Sequence, residues 1–172
     1  MPDDGNRYEV IEGELFVTRG PIYEHQFVIS NLIVSIGAYL EHQPIGTIVT
    51  GPGVIFSKVS GVIPDLIFHL HKTRKKNLSG GKLKGAPELA IEILSPGAAS
   101  HRRDRVAKRN LFGKYGVQEY WIVDYKTRTV EVYALEQKVL QLVTKLGERD
   151  VLTSSVLPGF SCKVAEIFAD LD

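Results

Sequence analysis

The sequence predicts a mixed α/β (α+β) fold, in which a central mixed β-sheet is flanked by helices and preceded by an N-terminal β-hairpin. Three observations support this prediction: apolar residues recur with helical spacing early in the chain, several short segments are β-rich, and the run 87–94 is almost entirely apolar. Elements of both kinds bury their apolar faces together in a layered structure. The length of 172 residues suits a single domain over 1–172.

The first half of the chain predicts a hairpin, a helix and three strands. The β-rich segments 8–11 and 14–18 flank a Glu-Gly turn, which is typical of a hairpin. Between 29 and 40, apolar residues recur at i, i+3, i+4, i+7 and i+11, so they line one face of a helix. Three strands are predicted to follow, at 47–50, 53–58 and 62–70.

The second half predicts further strands and two helices. Residues 71–86 are basic and rich in Gly, and we expect them to form a mobile loop. The run 87–94 is typical of a strand covered on both faces. A helix is predicted over 103–115, with Gly116 at the usual C-terminal stop position. The remaining predicted elements are strands at 119–124, 129–135 and 138–145 and a short helix near 163–169.

Composition excludes several classes of protein. Cys162 is the single cysteine, which excludes a disulfide framework and a zinc site built from several cysteines. No apolar run reaches the roughly 18–20 residues that a membrane helix needs, and the polar first ten residues do not resemble a secretory signal. We therefore expect a soluble cytoplasmic protein with no membrane partner.

The formal net charge of +1 conceals an uneven distribution. Residues 66–117 carry 12 basic and 3 acidic side chains, whereas the segments on either side are acidic. A local surplus of positive charge attracts a phosphate backbone whatever the total charge. Either of the two basic clusters alone would be an ordinary solvated surface, but together they flank 85–100. The candidates for nucleic-acid contact are Lys72, Arg74, Lys75, Lys76, Lys82 and Lys84 in the first cluster and Arg102, Arg103, Arg105 and Arg109 in the second.

Two acids lie inside apolar strands, Asp65 in VIPDLIF and Glu92 in ELAIEILS. An ionised carboxylate in such a place is costly unless it is paired, hydrogen-bonded or metal-bound. Strand alternation puts Glu92 on the same face as Ala90, whose small side chain leaves room beside it. Two structural interpretations remain open: Asp65 could satisfy backbone donors at a turn, and Glu92 could form a buried salt bridge with Lys108 or an arginine of the second basic cluster.

The order of these motifs resembles the bacterial putative restriction endonuclease family of the PD-(D/E)XK nuclease superfamily. The resemblance covers nearly the whole chain. It implies a restriction-endonuclease-like fold whose mixed sheet carries a metal site. The motifs that carry it are YEVIEGEL at 8–15, His25, IPDLIF at 63–68, APELAIEILSPG at 86–97, Asp104 with Lys108, and Tyr115-Gly116-Val117 running into EYWIVD at 119–124.

By the same resemblance, Asp65 and Glu92 would be metal ligands, and Glu14 matches a further acidic position. The superfamily pattern places a lysine two residues after the strand acid, where this chain has Leu94. The related family takes its lysine from the following helix, and Lys108 fits that position. The implied catalytic set is therefore Asp65, Glu92 and Lys108.

Two further residues would support this site without binding the metal. Asp104 precedes Lys108 by four residues and shares its helix face, so it could orient the ammonium group. His25, near the start of the first helix, could contact a phosphate or one of the acids.

The chemistry that the resemblance implies is hydrolysis of a DNA phosphodiester with Mg²⁺ or Mn²⁺, ions that prefer oxygen ligands. Cleavage of both strands would need a homodimer or two binding events. Two alternatives stay open. The absence of the lysine at position 94 favours a catalytically inactive nucleic-acid-binding or interaction module on the same fold. The other alternative is a structural or oligomerisation domain whose acids form internal salt bridges.

Overall fold

The computed structural model describes residues 4–95 and 101–171. The strands in chain order are β1 Arg7–Ile11, β2 Glu14–Thr18, β3 Gly46–Thr50, β4 Val54–Ser57, β5 Ser60–Val62, β6 Leu66–Leu70, β7 Leu78–Ser79, β8 Lys82–Lys84, β9 Leu89–Ile93, β10 Glu119–Asp124, β11 Thr129–Glu136, β12 Val139–Gly147, β13 Val151–Thr153 and β14 Ser161–Lys163. The helices are α1 Tyr23–His42, α2 His71–Asn77, α3 Arg109–Tyr115 and α4 Val164–Ile167. A π-helical segment, Arg103–Lys108, leads directly into α3.

Six strands form the central sheet in the order β12-β11-β10-β9-β6-β3. β9 and β10 run parallel, whereas the other neighbours are antiparallel, so the sheet is mixed. The pairing of β6 with β9 places Leu66 opposite Ile91. The start of β6 and the end of β9 therefore lie next to each other, at the same end of the sheet.

The two faces of the central sheet are covered by different layers. Leu89, Ile91 and Ile93 of β9 belong to the core beneath α1, the helix that the apolar spacing predicted. Ala90 and Leu94 belong to a second core on the opposite face. This division follows the predicted alternation of β9, so Glu92 lies on the face away from α1.

A smaller sheet contributes to the layer over that second face. Its strand order is β2-β1-β5-β4-β8-β7, and it includes the predicted N-terminal hairpin, β1 and β2. Ile11 and Val62 of this sheet pack in the same core as Leu111 and Phe112 of α3. The candidate site lies where β1, the π-helical segment and this end of the central sheet meet.

The prediction of a mobile loop over 71–86 is wrong. The segment forms α2 and the strands β7 and β8. No apolar stripe signals α2, since none of its residues is buried. Instead, the buried carboxylate of Glu88 accepts hydrogen bonds from the Leu70 backbone N–H (2.9 Å) and from the Thr73 hydroxyl at the start of the helix.

The predicted fold class is confirmed: a mixed sheet with flanking helices follows an N-terminal strand pair. In the part of the chain that the structure describes, no helix is long and apolar enough to cross a membrane.

Candidate active site

Asp65 lies between β5 and β6 and is held by three partners. Its Oδ2 accepts a hydrogen bond from the Ile93 backbone N–H (2.9 Å) and lies 3.0 Å from Nε2 of His25. Its Oδ1 accepts a hydrogen bond of 3.0 Å from Nη1 of Arg7. The Asp65 carbonyl oxygen also accepts the Gly51 N–H at 2.9 Å, which fixes the backbone of the loop. Asp65 is thereby attached to β9 next to Glu92.

These partners determine the ionisation of Asp65. Burial by itself would raise the pKa of this carboxyl, because a charged group is poorly solvated there. The hydrogen bond and charge of His25, the charge of Lys108 and the Ile93 N–H outweigh burial, and they lower the pKa of Asp65 to about 2. Asp65 is therefore ionised at neutral pH.

Glu92 is 1% exposed and lies opposite Ile122 of β10. Its Oε1 accepts a hydrogen bond of 2.8 Å from Nζ of Lys108. Burial raises the pKa of Glu92 well above its usual value, Lys108 opposes this rise, and the neighbouring acids add to it. The raised pKa means that an additional positive charge near Glu92 would stabilise its ionised form.

Lys108 connects several acids through one ammonium group. Its Nζ lies 2.8 Å from Glu92 Oε1, 2.9 Å from Glu9 Oε1 and 3.8 Å from Asp104 Oδ1. Burial lowers the pKa of Lys108, but Glu92, Glu9 and Asp104 raise it more, so the net pKa lies above its usual value. The side chain is therefore a fixed cation at neutral pH.

The π-helical segment explains why Arg103 and Lys108 both point inward. Hydrogen bonds in a π-helix join residues five apart, so positions 103 and 108 come to similar sides of the helix. Arg103 is 7% exposed and binds Asp104 through two hydrogen bonds, Nε to Oδ1 (2.8 Å) and Nη2 to Oδ2 (3.0 Å). Asp104 is completely buried. The predicted support of Lys108 by Asp104 corresponds to a contact of 3.8 Å.

Glu9 is a member of this cluster that sequence reasoning missed. It is 2% exposed, and its Oε1 accepts a hydrogen bond from the Ile63 backbone N–H (2.7 Å) as well as contacting Lys108. Glu9 shares a strand face with Ile11, which is also buried. Alternation in YEVI groups Glu9 with Ile11, but it does not show that their face is the buried one.

Glu14, by contrast, is not brought to the cluster. It is an exposed residue at the start of β2, paired with Ile11 across the hairpin. It is not among the described residues that line the cavity at the acids. The N-terminal acid that lines the cavity is therefore Glu9, whereas the sequence predicted Glu14.

A cavity of about 280 Å³, here called the acid cavity, opens onto this cluster. The three residues of the predicted catalytic set all line it, and the buried salt bridge between Glu92 and Lys108 that the sequence left open is present at 2.8 Å. The charged and titratable residues that line the cavity are Arg7, Glu9, Arg19, His25, Asp65, Glu92, Arg103 and Lys108. The predicted motif at 86–97 borders the cavity at Ser95, and its positions from 96 onward lie outside the described residues.

The donor atoms of the acid cavity fit a hard divalent cation. No group of three or more His, Cys, Asp or Glu within 4–95 and 101–171 is arranged to hold a metal ion. Mg²⁺, however, is commonly held by one or two carboxylates and keeps several waters. Asp65 and Glu92 supply such carboxylates. A cation at Asp65 would compete with Arg7, whose side chain is 29% exposed and is the most accessible of its ion-pair partners.

The network places buried acids and fixed cations in direct contact. Its four buried acids are Glu9, Asp65, Glu92 and Asp104. The fixed cations in contact with them are Arg7, Arg103 and Lys108.

The first basic cluster lies away from the acid cavity. Lys72, Arg74, Lys75 and Lys76 are exposed on α2, which follows the far end of β6 from Asp65. A five-residue strand at roughly 3.3 Å per residue separates the two ends of β6 by about 17 Å. Lys82 and Lys84 belong to β8 of the smaller sheet.

The second basic cluster is largely paired within the protein. Arg105 forms an ion pair with Glu131, and the guanidinium of Arg109 lies 5.5 Å from the centroid of the Tyr133 ring. Arg103 is buried against Asp104, which leaves its predicted contact with nucleic acid without structural support. Arg102 is the exposed arginine of the four.

Comparison with known proteins identifies the family. The chain belongs to the Uma2 family, described as putative restriction endonuclease, whose model matches residues 1–165. It also has the fold seen in the crystal structure of a putative nuclease belonging to DUF820 from Anabaena variabilis ATCC 29413, with a TM-score of 0.76. That match covers 98% of this chain and 93% of the other at 20% sequence identity. A search of curated proteins finds no match. The predicted family and fold are thus confirmed.

Proposed function

We propose that this protein is a divalent-metal-dependent endonuclease that hydrolyses phosphodiester bonds in DNA. The observation that carries the proposal is the convergence of Asp65, Glu92 and Lys108 on the acid cavity. Membership of a family described as putative restriction endonuclease supports a nuclease activity. The proposed substrate follows from that family description.

Five residues that line the acid cavity have different roles in the proposed reaction. Asp65 and Glu92 would hold Mg²⁺ or Mn²⁺, and a bound ion of this kind polarises a phosphate and lowers the pKa of a coordinated water. Lys108 keeps its proton, so it stabilises negative charge that develops on the phosphate and does not act as a base. His25 orients Asp65 through the 3.0 Å contact at Nε2. Glu9 holds Lys108 in place through the 2.9 Å ion pair.

A supercoiled plasmid assay tests the proposal. We expect wild type to nick or linearise the plasmid with Mg²⁺ or Mn²⁺ and to be inactive in EDTA. Asp65→Asn and Glu92→Gln, which preserve side-chain size, should each lower the rate by about 100-fold or more, because the loss of a group that stabilises the transition state costs roughly this much. Glu14→Gln is the matched control, since that acid lies outside the cavity. Equal cleavage by wild type and Asp65→Asn would refute the proposed site.

One observation favours the second candidate, an inactive nucleic-acid-binding module. Both oxygens of Asp65 are occupied by hydrogen bonds, and Glu92 is paired with Lys108. A protein that never binds a metal would have such a closed network. Its signature would be DNA binding that depends on salt but is unaffected by EDTA, without cleavage under any metal condition.

A further inference from the structure

A second cavity, of about 610 Å³, lies on the outer face of the smaller sheet and is here called the outer groove. Val10, Gly61 and Ile55 lie side by side across β1, β5 and β4, since Gly61 pairs with both of the others. A Cβ at Gly61 would be 2.9 Å from Cδ1 of Ile55, so the missing side chain lets Ile55 lie flat across the strand. The floor of the groove is therefore flat and apolar.

On the hairpin β1–β2, the buried face carries a charged residue and the exposed face carries apolar residues. Glu9 and Ile11 point inward, so the alternate residues Tyr8 and Val10 face outward. Their cross-strand partners, Val17 and Leu15, are 50% and 57% exposed. The hairpin therefore exposes apolar side chains next to the groove, and apolar surface that is contiguous across strands is a feature of binding sites.

The groove is bordered by positive charge. Lys58 lies in the turn between β4 and β5, Lys82 begins β8, and both are exposed. Neither lysine has an ion-pair partner among the described residues. None of the described residues that line the groove is acidic, and the one carboxylate that contacts a lining side chain is that of exposed Asp4, which accepts a hydrogen bond from the Tyr8 hydroxyl. The ligand that matches these features has an anionic backbone and flat apolar faces.

The outer groove and the acid cavity share two of their lining residues. Arg7 and Ile63 line both of them, and Arg7 is the residue that binds Oδ1 of Asp65. A chain molecule that lies in the groove and passes Arg7 would therefore lie next to the residue that binds Asp65.

We infer that the outer groove binds a single strand of DNA adjacent to the phosphate that is cleaved in the acid cavity. A base stacks on Tyr8 and the apolar floor, and phosphates contact Lys58 and Lys82. A single strand is required because base faces in a duplex are already stacked on each other, whereas an unpaired base offers its face to an aromatic platform. This inference rests on the proposed function, since it treats the bound strand as the substrate.

Fluorescence anisotropy with a labelled 12-nucleotide DNA strand, in EDTA so that no cleavage occurs, tests the inference. Lys58→Ala/Lys82→Ala should lower affinity about tenfold at low salt and reduce the slope of log affinity against log salt by about 1.4, which is two phosphate contacts in a single strand. Lys126→Ala/Lys163→Ala, at two exposed lysines outside both cavities and both basic clusters, makes the same change in net charge and should leave both values near wild type. Equal losses from the two pairs would overturn the inference, because they would reflect net charge alone.

The stacking contact has its own test. Tyr8→Leu should weaken binding of the strand by roughly fivefold or more, since base–aromatic stacking contributes about 1–3 kcal/mol. Tyr8→Phe keeps the ring and should bind within about twofold of wild type. Unchanged affinity in Tyr8→Leu, or tighter binding to the blunt duplex of the same sequence than to the single strand, would overturn the inference.

The two proposals fail in different ways. If the strand binds as described but no metal supports cleavage, the groove stands and the nuclease proposal is refuted. If wild type cleaves DNA but Lys58→Ala/Lys82→Ala binds and cleaves like wild type, the groove inference is refuted and the nuclease proposal stands. Thermal unfolding of each variant shows that it is folded before either comparison is made.

Discussion

The backbone N–H of Ile93 donates a hydrogen bond of 2.9 Å to Oδ2 of Asp65. Ile93 directly follows Glu92, so this bond fixes the acid that precedes β6 against the strand that carries the second acid. The antiparallel pairing of β6 with β9 makes the contact possible, because it brings the start of one strand to the end of the other. Two acids from distant parts of the chain consequently share one cavity.

The first prediction concerns the stability of the protein in acid. Hydrogen bonding and charge lower the pKa of Asp65 to about 2 in the folded state, whereas the pKa of an aspartate in an unfolded chain is about 3.9. At a pH above the unfolded pKa, the ionised carboxylate therefore stabilises the fold by on the order of 2 kcal/mol. That contribution is present at neutral pH and is lost as the pH falls from about 5 towards 2. Urea unfolding of wild type and Asp65→Asn across this range measures it.

The difference in unfolding free energy between those two proteins should be largest near pH 6 and should shrink as the pH falls. A difference that stays constant from pH 6 to pH 2.5 would show that the charge of Asp65 does not stabilise the fold.

The second prediction concerns Lys108. Replacing it with Met leaves Glu9 and Glu92 buried without their common cation, and breaking a buried ion pair in this way costs about 3–5 kcal/mol. The double variant Lys108→Met/Glu92→Gln removes one of the stranded charges. It should therefore be more stable than the sum of the two single changes implies. Urea unfolding of all four proteins gives the coupling, and strict additivity would contradict the ion pair.

Much of this site could be predicted from local sequence because strand alternation does not depend on tertiary structure. It placed Glu92 beside Ala90 on one face of β9, and the structure has that arrangement. The same rule applied to β1 gives two faces without saying which is buried. The more apolar face, with Tyr8 and Val10, points outward, so Glu9 could not be recognised before the packing of the smaller sheet was known.

The third prediction separates Glu9 from Glu14. Glu9→Gln weakens the ion pair with Lys108, so we expect about a tenfold or greater loss of metal-dependent plasmid cleavage, as for other groups that orient a catalytic residue. Glu14→Gln should cleave at close to the wild-type rate, because that exposed acid is not at the cavity. The reverse ranking would restore Glu14 as the acid of the site.

Arg103 shows a different limit of sequence reasoning. It belongs to a basic run whose composition is typical of a solvated surface, and an ordinary α-helix would not turn positions 103 and 108 to the same side. The π-helical winding does so, and the sequence carries no signal for that winding. α2 was missed for a related reason, because its partner Glu88 lies elsewhere in the chain.

The fourth prediction compares Arg103 with its neighbour Arg102. Arg103→Gln removes two hydrogen bonds from the completely buried Asp104, so we expect a loss of about 2–3 kcal/mol in the free energy of unfolding. Arg102→Gln changes an exposed side chain and should alter stability by less than about 0.5 kcal/mol. Similar values for the two variants would mean that Arg103 does not hold Asp104.

Binding of Mn²⁺ without DNA, followed by the electron paramagnetic resonance signal of the free ion, tests the central claim most directly. Wild type should remove Mn²⁺ from solution at a site that competes with Mg²⁺. Asp65→Asn and Glu92→Gln should each weaken this binding about tenfold or more, whereas Glu14→Gln should bind like wild type. Binding by the Asp65→Asn/Glu92→Gln double variant that equals wild type, or no binding by wild type, would contradict a metal site at these two acids.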